Sequence, residues 1–301
     1  MIRKAYLGIL KRMKFIDPEL YVKIYYEYYF NKKLDLHNPI TFNEKIQWLK
    51  VFYRPKILNQ LVDKFEVRSY VSEKVGQEYL NELLALASSS DQIDFDKLPD
   101  QFVVKATHGC NSNLVVTDKR TLNVLKAKLL FKKWLSRNQY YRGGLEWAYK
   151  DIQPRLIVER FIEQKNQCSL NDYKFYCFNG TPTYVQVDMD RGQEHLRSFY
   201  NMDWELQPFN KGCFHKWKDI CPKPANFNTM IEIATKLSVG FPFVRVDLYN
   251  VEGKTIFGEM TFYPGDGRQP FTPPEFDEHM GKLIRLPKIP SENRFITQAF
   301  S

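Results

Sequence analysis

Residues 244–267, VRVDLYNVEGKTIFGEMTFYPGDG, decide the fold. An apolar run carrying Asp247, a turn at Glu252-Gly253 and a second run carrying Glu259 predict a β-hairpin. Side chains alternate along a strand. Arg245 and Asp247 therefore share one face of the first strand, and Glu259 and Thr261 share one face of its partner. If the turn sets the pairing, two carboxylates converge with an arginine beside them. Hard oxygen ligands with a cation nearby suit a magnesium ion that holds phosphates. A surface hairpin with solvated acids has the same pattern. Pro264, Gly265 and Gly267 follow as a tight loop.

Moving upstream, PANFNTMIEIATKLSVG (224–240) has helical spacing, with Asn226 or Asn228 as N-cap and Gly240 as the stop. Residues 195–222 read as irregular and aromatic. NDYKFYCFNGTPTYVQVDMDR (171–191) predicts another hairpin about an Asn179-Gly180 turn, with Asp172 and Lys174 on one face of its first strand. PRLIVERFIEQ (154–164) reads as a strand ending near Glu159. In QFVVKATHGCNSNLVVTDK (101–119) a strand ends at Lys105, a loop carries His108, Gly109, Asn111 and Ser112, and a strand returns. Backbone N–H groups and a lysine in that arrangement can face phosphates, and an ordinary turn has the same composition. The loop lacks the spacing of a Walker A motif. Cys110 has no partner pattern of a catalytic nucleophile.

Residues 121–150 read as helical, with a break at Gly143-Gly144 and with Lys126, Lys128, Lys132 and Lys133 on a solvated face, not a nucleic-acid interface. Residues 61–80 also read as helix, with Lys64 and Arg68 one turn apart. Nearer the N-terminus, Asp17-Pro18-Glu19 is a helix start ahead of the tyrosine-rich run LYVKIYYEYYF. Such a row can stack on sugars or bases, or form a half-buried helix face. Thr41 and Glu44 predict a capping box on the next helix. Beyond Pro270 the chain reads as loop and tail.

The 301 residues carry 44% hydrophobic and 15% aromatic side chains, which excludes a disordered chain. A net charge of +9 favours anionic partners. Five cysteines, none in a C-x-x-C pair, predict a reducing compartment with neither a disulfide framework nor a zinc site. No apolar run approaches the roughly 18 residues of a membrane span. The N-terminal MIRKAYLGILKRMKFI lacks a secretory cleavage site. It suits a helix packed on the domain, or a basic amphipathic helix lying on a membrane surface.

The order of these signals resembles the ATP-grasp superfamily. They run from Lys64 and Lys105 through Glu159, Asp172 and Lys174 to Arg245, Asp247, Glu259 and Thr261. The segments NPITFNEKIQWLK, LVDKFEVRSYV, VVKATHG, IVERFI, DYKFYCFNG, FPFVRVDLYN and FGEMTFYPGDG carry a closer similarity to its TupA-like branch, which serves teichuronopeptide and polysaccharide biosynthesis.

The resemblance implies an α+β ATP-grasp fold, two α+β subdomains clasping ATP, with a helical N-terminal extension. It divides the chain into an extension over 1–60, a smaller subdomain with the lysine and phosphate loop over 61–160, a larger subdomain with the metal site over 161–285, and a tail over 286–301. It implies ATP and Mg2+ as cofactors. Lys64 and Lys105 would contact phosphates beside the loop at His108 and Gly109. Glu159 and the backbone of Arg160, Phe161 and Ile162 would hold adenine, and Asp172 the ribose. Asp247 and Glu259 would ligate magnesium, while Arg245 and Lys174 would act on the transferred phosphoryl group. Thr261 stands where the superfamily commonly has Asn, so its place in the metal set rests on a hydroxyl.

The implied activity is a carboxylate–amine ligase that amidates a uronic acid or acidic glycan with an amino acid or amine. Its implied place is the cytoplasm, peripheral to the inner membrane face. Three alternatives share some of these residues. One is a glycosyltransferase using Asp188-Met189-Asp190, another an ATP-grasp kinase, and the last a binding module for anionic polymers.

Overall fold

The computed structural model describes residues 2–163, 171–189, 196–213 and 221–299. It opens with helices α1 (Ile2–Leu10), α2 (Pro18–Phe30) and α3 (Phe42–Phe52). Asp17 caps α2 by accepting the N–H groups of Glu19 and Leu20, and Asn31, at φ 54°, ends it. The capping box at Thr41 and Glu44 forms as the spacing predicts.

The helix expected over 61–80 is instead two, α4 (Ile57–Val62) and α5 (Val67–Lys74). Between them the Asp63 carboxylate accepts the N–H groups of Phe65 and Glu66 at 2.8 and 2.9 Å. A short acid that bonds to nearby backbone competes with the helix, so the chain turns there. Lys64 therefore stands in a turn, not on a helix face.

Strands β1 (Leu83–Ala87), β2 (Phe102–Ala106) and β3 (Asn113–Val116) precede α6 (Val124–Leu135), α7 (Gln139–Arg142) and β4 (Leu156–Arg160). The strands make an antiparallel sheet in the order β1-β4-β2-β3. Phe131 and Trp134 of α6 pack with Phe102, Val104 and Val158 to form its core. Residues 121–150 are thus not one helix. The chain leaves α6 after Leu135, and the Asn138 side chain restarts it by capping α7. β1, LLALA, lacks the β-branched residues that announce a strand.

The second half holds β5 (Asp172–Phe178), β6 (Thr181–Met189), β7 (Leu196–Asn201), β8 (Asn210–Lys211), α8 (Phe227–Ser238), β9 (Phe243–Val251), β10 (Lys254–Thr261), β11 (Phe271–Thr272) and α9 (Glu275–Leu283). Five of these strands form an antiparallel sheet in the order β10-β9-β5-β6-β7. Two expectations are corrected here. The region read as irregular contributes an edge strand, β7, and the region after Pro270 contains α9. Prolines 273 and 274 dominate the local pattern of α9. Its acids Glu275, Asp277 and Glu278 sit in the first turn, where they complement the helix dipole.

One face of the five-stranded sheet is apolar. Phe175, Val185 and Val246 pack with Phe227, Met230, Ile233 and Leu237 of α8. The opposite face changes character along the strands. At one end Tyr176, Phe178 and Phe243 surround Phe42 of α3 in tilted and edge-on contacts at centroid distances of 5.0–6.4 Å. The other end of that face is polar and opens on the four-stranded sheet.

Candidate active site

Strand register builds the polar end. Glu259 lies opposite Asp247, Asp247 opposite Lys174, and Lys174 opposite Gln186. Along the next row Tyr249 faces Asp172, Asp172 faces Asp188, and Asp188 faces Arg197. A bulge at Gly258 is needed for this. Phe257 pairs with Leu248 and Glu259 with Asp247, so one extra residue separates them. Strict alternation would put Phe257 and Glu259 on the same face. With the bulge, Phe257 joins the core and Glu259 joins the acids. A side chain at position 258 would meet the Asp247 carbonyl at 3.0 Å and the Tyr249 ring at 3.1 Å, which favours glycine there.

Charges alternate across this surface. The Lys174 ammonium lies 2.5 Å from Asp172, 3.4 Å from Asp247 and 3.6 Å from Asp188. Arg245 donates to both oxygens of Asp247, at 2.7 and 2.6 Å, and to the Thr261 hydroxyl at 3.1 Å. Its guanidinium is also 3.6 Å from Glu259. Asp188 accepts from Arg197 at 2.7 and 3.2 Å and from Gln186 at 2.9 and 3.0 Å. These bonds commit the described acid of the Asp188-x-Asp190 string to its own sheet, and Asp190 lies outside the described residues.

The other sheet closes the site. Lys105 of β2 donates to Glu159 of β4 at 2.7 Å, and Arg68 of α5 approaches the same carboxylate at 3.3 Å. Lys64 bridges the halves, donating to the Gly109 carbonyl at 2.7 Å with its ammonium 3.6 Å from Glu259. The enclosed cleft, about 170 Å3, is lined by Lys64, Lys105, Asp172, Lys174, Asp247 and Glu259, with Tyr249, Gly258 and loop residues 110–113.

Six residues expected at a site thus share one cleft. Arg245, Thr261 and Glu159 stand directly behind those lining it, and Gly109 joins through its carbonyl. The rest point elsewhere. The His108 ring bonds the Trp134 carbonyl at 3.2 Å and lines a separate cavity of about 190 Å3. Burial lowers its basicity. The Arg160 side chain pairs with Glu82, and Arg160 and Phe161 border a cavity of about 570 Å3 at the edge of the small sheet. Ile162 follows them, half-buried, in the segment leaving β4.

Burial opposes the charge of Glu259, yet Lys64, Arg245, Lys174 and Lys105 hold its carboxyl at about 2. Burial also works against Arg245, and Asp247 outweighs it, so the guanidinium is held above its ordinary range. Burial raises the Cys110 thiol, the reverse of what activates a nucleophile.

Beside the cleft lies a second cluster that the sequence did not announce. Asp266 occupies the unnamed position of the Pro-Gly-x-Gly loop at φ 60°. Its carboxylate accepts from Tyr25 and from the fully buried Lys50, whose ammonium also meets the Asp266 carbonyl at 2.8 Å. Gln47 donates to the Gly267 carbonyl at 2.9 Å, so α3 clamps the loop. Burial and then Asp266 push the nearby Glu146 carboxyl up to about 8. Glu146 falls in a stretch read as helix, with no spacing to mark it. Tyr249 was legible only as an alternate strand residue.

The donor chemistry suits a magnesium ion held with a nucleotide. Among the described residues no group of three or more His, Cys, Asp or Glu converges as a self-sufficient metal cage. Asp247 and Glu259 offer carboxylate oxygens on one face, and magnesium is commonly held by one or two carboxylates with phosphates supplying the remainder.

A family model described as TupA-like ATPgrasp matches residues 44–285. Curated proteins gave no match. Among solved structures, the D-alanine–D-alanine ligase of Helicobacter pylori aligns at TM-score 0.43 and 15% identity, covering 84% of this chain and 69% of that one. The D-alanine–D-alanine ligase of Bacillus anthracis complexed with ATP aligns at 0.38 and 13%, covering 75% and 63%. An L-amino acid ligase of Bacillus licheniformis aligns at 0.41 and 13%, covering 75% and 49%. The chain thus spans roughly half to two thirds of the length of these structures.

Proposed function

We propose that this chain, which belongs to the TupA-like ATP-grasp family, is an ATP-dependent carboxylate–amine ligase working through an acyl phosphate. The observation that carries this is the convergence on one cleft, from two sheets, of Lys64, Lys105 and Lys174 with Asp172, Asp247 and Glu259.

In this proposal Lys64 and Lys105, with the loop through His108 and Gly109, receive the phosphates of ATP. Glu159 and the backbone of Arg160, Phe161 and Ile162 hold the adenine, and Asp172 holds the ribose. Asp247 and Glu259, with the Thr261 hydroxyl beside them, would hold magnesium, which when bound neutralises phosphate charge. Arg245 and Lys174 face the phosphoryl group in transfer.

A carboxylate oxygen of the substrate attacks the γ-phosphorus, the bond to the bridging oxygen breaks, and ADP leaves. An amine then attacks the acyl carbon and loses a proton as inorganic phosphate departs. Attack of one anion on another is slow unless charge is neutralised and the partners are aligned, which cations fixed on packed strands supply. The scheme needs no protein nucleophile, in keeping with the raised Cys110 thiol.

The carboxylate we propose is a uronic acid of a surface polysaccharide, and the amine an amino acid or similar donor. A net charge of +9 suits an acidic glycan. The cytoplasm, at the inner face of the membrane, is the proposed setting, since the reaction consumes ATP. No helix among the described residues is long and apolar enough to cross a membrane.

A turnover screen of uronic acids against amino acids tests the proposal. ADP and free phosphate are expected only when a carboxylate and an amine are both present. ADP with the phosphate retained on the acceptor would make the protein a kinase. Stabilisation by nucleotide sugars with none by Mg-ATP would overturn the assignment.

A further inference from the structure

We propose that the groove between α1 and α2 holds the neighbouring sugars of an acidic glycan whose reacting carboxylate lies in the cleft. This rests on the ligase reading above.

The groove has a volume of about 810 Å3, against about 170 Å3 for the cleft. Lys4, Lys11 and Arg12 line one wall, and Tyr28 and Tyr29 of α2 the other. Among its described lining residues the one acid, Glu27, is taken by Arg3. No acid precedes Asp17 in the chain.

The tyrosine row of α2 divides here. Tyr21, Tyr25 and Tyr26 enter the core, while Tyr28 and Tyr29 turn to the groove. The Lys11 ammonium stands 3.6 Å from the centre of the Tyr28 ring and 5.0 Å from that of Tyr29. Cations along an aromatic wall match a carboxylated sugar, which carries anionic groups on rings with apolar faces. Although burial works against its ionisation, Arg268 and Lys11 lower the Tyr29 phenol, which reports a positive local field.

Tied residues connect the groove to the site. The Tyr29 hydroxyl accepts from Arg268 at 2.8 Å. Arg268 directly follows the loop at 264–267, which follows the strand carrying Glu259 and Thr261. At the other end Lys14 donates to the Gly143 carbonyl at 2.9 Å, three residues before Glu146. A polymer seated in the groove would therefore run toward the loop at 264–267, beside the cleft.

A lipid surface fits less well. Arg3 is committed to Glu27 and Lys11 to the Tyr28 ring, and the exposed Ile9 lines the groove with them, so cations and apolar side chains do not separate onto two faces as a membrane-lying helix needs.

Oligogalacturonates of increasing length, titrated calorimetrically into the full chain, test this. Affinity should rise about tenfold from monomer to hexamer, the scale a few exposed ion pairs supply. The gain should shrink with added salt. Neutral dextran oligomers should show none. A Lys11→Gln/Arg12→Gln double variant should lose the gain while Mg-ATP still raises its melting temperature, which certifies its fold.

Affinity that is flat with length, or a gain untouched by the double variant, would overturn the inference. So would binding to phosphatidylglycerol vesicles without binding to the oligomers. Turnover of monomeric uronate without a length gain would sink the groove and leave the ligase standing. A length gain with no uronate-dependent ADP release would do the opposite.

Discussion

Glu259 is the residue on which the cleft depends. Its side chain is 38% exposed, yet four cations reach it and hold its carboxyl at about 2, against an ordinary 4.5. A depressed acid contributes stability that is complete above its unfolded value and is lost as pH falls through the folded one. Solvent screening at this exposure keeps the effect modest. Acid unfolding should therefore show a component between about pH 4.5 and 2 that is missing in Glu259→Gln. The same variant should lose the rise in melting temperature on adding Mg-ATP, as should Lys105→Met.

Glu146 behaves in the opposite sense. With its carboxyl raised to about 8, the folded protein keeps a proton that the unfolded chain releases near 4.5. Its contribution is complete below pH 4.5 and declines as pH rises toward 8. Glu146→Gln should flatten the melting temperature between those limits and raise it at pH 8. A variant that tracks the parent at every pH would refute this.

At the scale of elements, β10 shows what a single glycine does. The bulge at Gly258 lets neighbouring odd positions, Phe257 and Glu259, face opposite sides of one sheet. Gly258→Ala should cost about 1–3 kcal/mol by urea denaturation, the range for overpacking a tight site. It should also weaken Mg-ATP stabilisation, because the Cβ crowds the Asp247 carbonyl.

Local chemistry made several elements legible. Asp17 and Thr41 announced helix starts, and Asn179-Gly180 and Glu252-Gly253 announced hairpin turns. β1, β7 and α9 escaped because their stability comes from what they pack on. α9 is held to α3 by Asp277, which accepts from the backbone and side chain of Asn43 at 3.0 and 2.9 Å. Nothing within residues 275–283 reveals that partner.

For the whole molecule, the N-terminal helices are part of the working structure. Phe42 packs into the aromatic end of the large sheet, and Lys50 is buried against the loop carrying Asp266. Removing residues 1–53 would uncover Tyr176 and Phe243 and leave Asp266 without its cation. The truncated chain should fail to give a cooperative melt or a nucleotide shift. A soluble fragment that melts cooperatively and binds Mg-ATP would show that the remainder folds alone.

The two hairpins, the face shared by Arg245 and Asp247, and the order of lysines and acids along the chain can all be read from the residues alone. Strand alternation, turn chemistry and capping act between near neighbours, so they can be read directly. That Lys64 meets Glu259, that Asp188 is spent on Arg197, that His108 turns away and that Lys50 holds Asp266 follows from the packing of distant segments. Those pairings join residues far apart in the chain. They exist because two sheets and the N-terminal helices must bury their apolar faces together, and charges carried into that packing are costly unless paired.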